Sequence, residues 1–115
     1  MNLTTREDNG RTVILVGEKR VDSVIALRFK DRLRELIGQA QPIVELDLSA
    51  VDFIDSSGLG AVIAVRKTLP AGRTLELSGL TSSVARVFRL TRMDMMFTIV
   101  ARAPHDGTPN RGGAP

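Results

Sequence analysis

Ile43-Val44-Glu45-Leu46-Asp47-Leu48, then Ser49 to Ile54, then Asp55-Ser56-Ser57-Gly58-Leu59-Gly60, then Ala61 to Leu69, form the stretch around which the chain is organised. The first six residues set Ile, Val and Leu around two acids, and the last nine are apolar until Arg66-Lys67, so a strand is predicted to run into a buried helix. Between them stand an aspartate and two serines, whose side-chain oxygens suit the unpaired N–H groups of a helix start. A helix start carries partial positive charge and tolerates an anion, so a phosphate added to Ser56 or Ser57 is expected to leave the fold intact. Gly58 and Gly60 remove side chains beside the serines, which lets the backbone or active site of another protein approach the hydroxyls. A purely structural reading stays open, in which Asp55, Ser56 and Ser57 cap a helix and the glycines turn the chain.

Composition narrows the alternatives. A chain of 115 residues is one domain with room for a core, and 43% hydrophobic with 25% charged residues is ordinary for a globular protein. It has no cysteine, so disulfides, thiolate nucleophiles and thiolate metal sites are excluded. The net charge of +3 is spread among acids, and the 3% aromatic content is all Phe, which argues against direct nucleic-acid binding. The start, Met1 to Asp8, does not read as a signal peptide, and Leu59 to Val65 is too short to span a bilayer. No membrane insertion and a cytoplasmic location are expected.

The remaining elements follow from turns and periodicity. Asn9-Gly10 suits a two-residue hairpin turn between strands over Leu3 to Glu7 and Arg11 to Val16, and Gly17 ends the second. Ile25, Phe29, Leu33, Leu36 and Ile37 recur at helical spacing, with Asp22 or Ser23 as the cap and Gly38 as the stop. Pro42 precedes the strand Ile43 to Leu48, and the second helix is expected to end near Leu69, before Pro70-Ala71-Gly72. A strand over Thr74 to Ser78, a third helix capped by Thr81 or Ser82 with Val84, Val87 and Phe88 inward, and a strand over Phe97 to Val100 complete the order. That order, β-β-α-β-α-β-α-β, is an α/β fold with a mixed sheet. From Ala103 onward nothing large and apolar anchors the chain, so residues 103–115 are expected to be a disordered tail.

The succession of strand, short loop with Phe53-Ile54, Asp55-Ser56-Ser57-Gly58-Leu59-Gly60 and apolar helix resembles the STAS domain, in particular the bacterial anti-sigma factor antagonists. The segment Val87 to Phe97 resembles that family's closing helix and turn, and the domain is assigned to residues 1–102. The resemblance implies the sheet order and helices packed mainly on one side. It also implies that the serine directly before the glycine is phosphorylated by a partner kinase, which here is Ser57, with Ser56 as the alternative acceptor. At the first corner the family commonly reads Gly-Glu-x-Asp; Gly17-Glu18 is kept, but Arg20 stands in the acid's place, with Asp22 two residues on. The partner-binding surface is then expected at Asp55, Ser56, Ser57, Gly58, Leu59, Gly60, Arg20 and Asp22.

By the same resemblance, the unphosphorylated protein binds an anti-sigma factor serine kinase and frees a sigma factor for transcription, and a metal-dependent phosphoserine phosphatase restores the serine. No catalysis and no cofactor are expected. The only histidine, His105, lies in the expected tail, and the serines lack a Gly-x-Ser-x-Gly elbow, so a hydrolytic triad is disfavoured. Asp47, Asp52 and Asp55 admit a Mg²⁺ reading, but such acids more often cap and solvate a loop, and no metal site is assigned. Two alternatives remain: a docking or regulatory subunit of a transport or sensory complex that needs no phosphorylation, and a nucleotide-binding regulatory domain at the Asp55 to Gly60 helix start.

Overall fold

Asn9 and Gly10 both take positive φ, 53° and 79°, as a hairpin turn of this type requires. They fold β1 (Leu3–Asp8) back antiparallel on β2 (Arg11–Val16), with Leu3 opposite Val16. In the computed structural model, which describes residues 1–101, there follow β3 (Arg20–Val21), α1 (Ala26–Gly38), β4 (Ile43–Asp47), β5 (Phe53–Ile54), α2 (Ser56–Lys67), β6 (Thr74–Ser78), α3 (Ser82–Leu90), a 3₁₀ turn at Met93–Met95 and β7 (Thr98–Val100). The tail expected at residues 103–115 lies outside the described residues.

The main sheet has the order β1-β2-β4-β6-β7. β2, β4, β6 and β7 run parallel and β1 antiparallel, so the sheet is mixed, as the order of elements indicates. Side chains alternate along β4. Val44 and Leu46 join Ile14, Val16, Leu75 and Leu77 in one core with Phe29 and Leu33 of α1, Val62 and Val65 of α2, and Val84 and Phe88 of α3. The three helices therefore cover the same face of the sheet. Each of these large side chains contributes roughly 1.5–3 kcal/mol by leaving water.

The opposite pleat of β4 carries Glu45 and Asp47, both buried. Glu45 stands beside Glu76 of β6 in register, and Arg11, at the start of β2, reaches both: its Nη1 lies 3.2 Å from Glu45 Oε1 and 2.6 Å from Glu76 Oε1. The hydrogen bond to Glu76 is the main reason the Arg11 pKa is raised above its ordinary value. One cation thus ties three strands together.

Several boundaries differ from the expectation. Neither Asp22 nor Ser23 caps α1, which begins at Ala26 behind an uncapped Ile25. Instead the Asp22 carbonyl accepts from the Ile25 and Ala26 N–H groups, and Asp22 Oδ1 accepts from Val24 N at 3.1 Å, closing a separate turn ahead of the helix. α1 does end at Gly38 as expected, with Gln39 as its C-cap. α2 ends at Lys67, two residues before Leu69, with Thr68 as its C-cap, whose N–H and hydroxyl both donate to the Ala64 carbonyl. Thr81 is the N-cap of α3 by position, but its hydroxyl donates to the Val51 carbonyl at 2.7 Å and not to the helix. β7 begins at Thr98, and Phe97 packs edge-on against Phe88 with ring centroids 5.9 Å apart. The two-residue strands β3 and β5, which pair in parallel as a second small sheet, were not expected.

Candidate functional site

The second sheet explains how the serine loop is positioned. Asp52 N and Phe53 N both donate to the Lys19 carbonyl, at 2.8 and 3.2 Å, and Asp55 N donates to the Val21 carbonyl at 3.4 Å. These bonds join the corner after β2 to the connection between β4 and α2. From behind, Thr81 and Ser83 of the α3 start hold the carbonyls of Val51 and Asp52. The loop that delivers residues 55–57 is fixed from two sides.

Asp55 is the N-cap of α2. Its Oδ1 accepts from Gly58 N at 2.9 Å, and its Oδ2 accepts from Ser23 N at 3.1 Å. One carboxylate therefore caps the helix and holds the turn ahead of α1. A cap bond of this kind is worth about 1 kcal/mol. Ser56 and Ser57 occupy the first two helical positions and both are exposed. They do not supply the cap themselves. Their hydroxyls sit in the first turn of a helix, where backbone N–H groups lack intrahelical acceptors and the helix dipole favours negative charge.

The two glycines of the motif separate. A Cβ on Gly58 would collide with the Val21 carbonyl oxygen and stand 2.9 Å from Ile54 Cγ1, so this residue is buried against β3 and β5. The expectation that Gly58 opens the approach to the serines is corrected: its missing side chain lets β3 lie against the helix start. At Gly60, exposed, a Cβ meets nothing within 4 Å, and the expected open approach is found there. Leu59 lies between them and belongs to the core.

Arg20 and Asp22 lie beside this loop. Arg20 pairs in register with Phe53, its guanidinium carbon sits 4.2 Å from the Phe53 ring centroid, and its Nε is 3.4 Å from Asp22 Oδ2. Of the eight expected partner-binding residues, Arg20, Asp22, Asp55, Ser56, Ser57 and Gly60 keep some exposure, with the Arg20–Asp22 corner joined to the serine loop by the bond from Ser23 to Asp55, whereas Gly58 and Leu59 are turned inward and corrected to packing residues. The sequence reading did not single out Val24, Leu27 and Phe53 as exposed apolar residues; they are exposed at 79%, 65% and 39%, with Phe53 under Arg20 and Val24 bonded to Asp22. The available signal was phase: Val24 and Leu27 fall outside the inward set Ile25, Phe29, Leu33, Leu36 and Ile37.

The three aspartates weighed for Mg²⁺ serve elsewhere. Asp47 Oδ1 accepts from Ser49 N at 2.9 Å, Asp52 faces Lys19 at 3.8 Å, and Asp55 caps. Among the described residues no group of three or more His, Cys, Asp or Glu side chains is placed to hold a metal. No described helix is long and apolar enough to cross a membrane.

Comparison with known proteins places the fold in a family. The chain is similar to anti-sigma-F factor antagonist RsfB of Mycobacterium tuberculosis, with 24% identity over 113 residues, covering 98% of this chain and 92% of that protein. Among solved structures it is similar to an anti-sigma factor antagonist from Mycobacterium paratuberculosis, with a TM-score of 0.75 at 23% identity, covering 85% of this chain and 83% of that one. It is also similar to the Bacillus cell fate determinant SpoIIAA in its phosphorylated form, with a TM-score of 0.63 at 17% identity over 91% of this chain and 95% of the other. The STAS domain family model matches residues 2–104, nearly the whole length. The chain belongs to the STAS domain family.

Proposed function

We propose that this protein is an anti-sigma factor antagonist switched by phosphorylation of Ser57. Unphosphorylated, it binds an anti-sigma factor that is also a serine kinase, and the sigma factor is released. Phosphorylation of Ser57 by that kinase dissolves the complex, and a phosphoserine phosphatase restores it. The domain is the substrate of both enzymes and catalyses neither step. The names of its relatives support the pathway, and one geometric observation carries the switch: Ser57 is exposed in the first turn of α2 while its neighbours Gly58 and Leu59 are buried.

The physical consequence of that placement is a separation of folding from binding. A phosphoserine brings about −1.5 to −2 charges and three acceptor oxygens. At a helix start those charges meet N–H donors and the positive end of the dipole, so the domain keeps its fold. In a dry protein interface the same charges lack a partner, and burying them costs several kcal/mol. Asp55 already takes the Gly58 N–H and the Ser23 N–H, so the phosphate is accommodated by the remaining N–H donors of the first turn.

The test is intact-mass spectrometry with site mapping after incubation with extract of the source organism and ATP, for wild type and Ser57→Ala. One added phosphate that maps to Ser57 and is lost in the variant supports the switch. A phosphate on Ser56 moves the acceptor by one residue. No phosphate, from an extract shown to contain an active anti-sigma kinase, favours docking without phosphorylation.

A further inference from the structure

The charges around the serine loop are not equivalent. Asp55 is committed through both oxygens to Gly58 and Ser23, and Asp22, only 20% exposed in its side chain, is committed to Val24 N and Arg20 Nε. Lys19 and Asp52 face each other at 3.8 Å on the surface and largely cancel. Arg20 differs from all of these. Its side chain is 61% exposed, with its guanidinium over the Phe53 ring and its Nε 3.4 Å from Asp22 Oδ2, and among the described residues its terminal amino groups have no acceptor. A guanidinium fixed through its face and Nε leaves its outer N–H groups pointing at whatever docks, and that fork matches a carboxylate. Phe53 under the guanidinium, Val24 bonded to Asp22 and Leu27 in the first turn of α1 expose apolar surface.

We propose that Arg20 is the specificity-determining cation of the docking surface, and that the partner presents a carboxylate flanked by apolar side chains opposite the Arg20–Phe53 pair. This rests on the proposed function, since the partner in question is the anti-sigma factor kinase. The stacked ring is a device for reducing conformational cost: a long flexible cation is already ordered before the partner arrives, so less entropy is lost on binding. The apolar residues beside it supply area, and the cation selects which kinase fits.

The experiment uses the full chain and each anti-sigma factor serine kinase of the source organism, purified singly. Affinity and Ser57 phosphorylation are measured for wild type, Arg20→Glu, Arg20→Lys and Phe53→Leu. Arg20→Glu is expected to weaken binding of the cognate kinase by about tenfold or more. Arg20→Lys, which keeps the charge and loses the planar fork, falls between it and wild type. Phe53→Leu weakens binding although the charge is unchanged, and exchanging one kinase carboxylate for lysine restores binding to Arg20→Glu. Circular dichroism confirms that each variant is folded. If a kinase binds and phosphorylates Ser57 but Arg20→Glu binds within about twofold of wild type, the specificity role is overturned and the switch stands. If no kinase binds or phosphorylates the wild-type chain, both fall together.

Discussion

Gly58 and Gly60 are two residues apart in the first turns of one helix, and they face opposite worlds. Gly58 is pressed against the Val21 carbonyl and Ile54, while Gly60 has open space where its side chain would be. A motif that reads as one glycine-rich feature is two features with separate physical reasons. The inner face of the turn, Gly58 and Leu59, locks α2 onto the small sheet and the core. The outer face, Ser56, Ser57 and Gly60, is left accessible and carries little of the fold. Packing and the proposed switch thereby fall on alternate sides of the same five residues.

Substitutions that add or remove a few atoms test this division directly. Gly58→Ala is expected to have the largest effect, destabilising the domain by about 3 kcal/mol because backbone on β3 must move, which is the upper end of ordinary overpacking. A urea melt reads this as a lower midpoint, and an unchanged midpoint would erase the distinction between the glycines. Asp55→Ala removes one cap acceptor and the tether to Ser23, and is expected to cost about 1–2 kcal/mol. Hydrogen exchange at the Ser23 amide should accelerate in this variant beyond the global loss of stability; equal acceleration everywhere would mean the tether is not a separate contact.

Gly60→Ala should move stability the other way. An exposed helical glycine replaced by alanine gains about 0.5–1 kcal/mol, visible as a higher thermal midpoint. A loss instead would show that the outer face is packed. Ser57→Ala and Ser57→Asp should have the smallest effect on folding, within about 0.5 kcal/mol of wild type. Calorimetry on the free domain checks this. The two variants should nonetheless differ sharply in kinase binding, with Ser57→Ala retained and Ser57→Asp weak. Unfolding of both would reduce Ser57 to a structural residue.

Local features were legible in the sequence. Asn9-Gly10 announced the hairpin because type and position of turn residues determine the backbone there, and the apolar spacings of α1 and α3 announced buried faces. The site was legible as far as its residue types. What escaped was everything set by partners distant in the chain. β3 and β5 are two residues each, too short for any period, and exist because each supplies the other's ladder. The caps offered by Asp22 and Thr81 were claimed by other donors and acceptors, a turn in one case and the Val51 carbonyl in the other. The second oxygen of Asp55 found Ser23, 32 positions away. Residue type gives the capacity to bond, and tertiary structure chooses the recipient.

The ion triad at the start of β2 acts as a parity check on the sheet. Side chains alternate along a strand, so sliding β2 by one residue would carry the Arg11 guanidinium to the helix-covered face and away from Glu45 and Glu76, whose carboxylates stand side by side in register. That single error would strand a cation among apolar side chains and leave two like charges adjacent, two faults from one slip. A slipped register is therefore penalised by charge as well as by apolar pattern, and the serine loop follows from the aligned sheet.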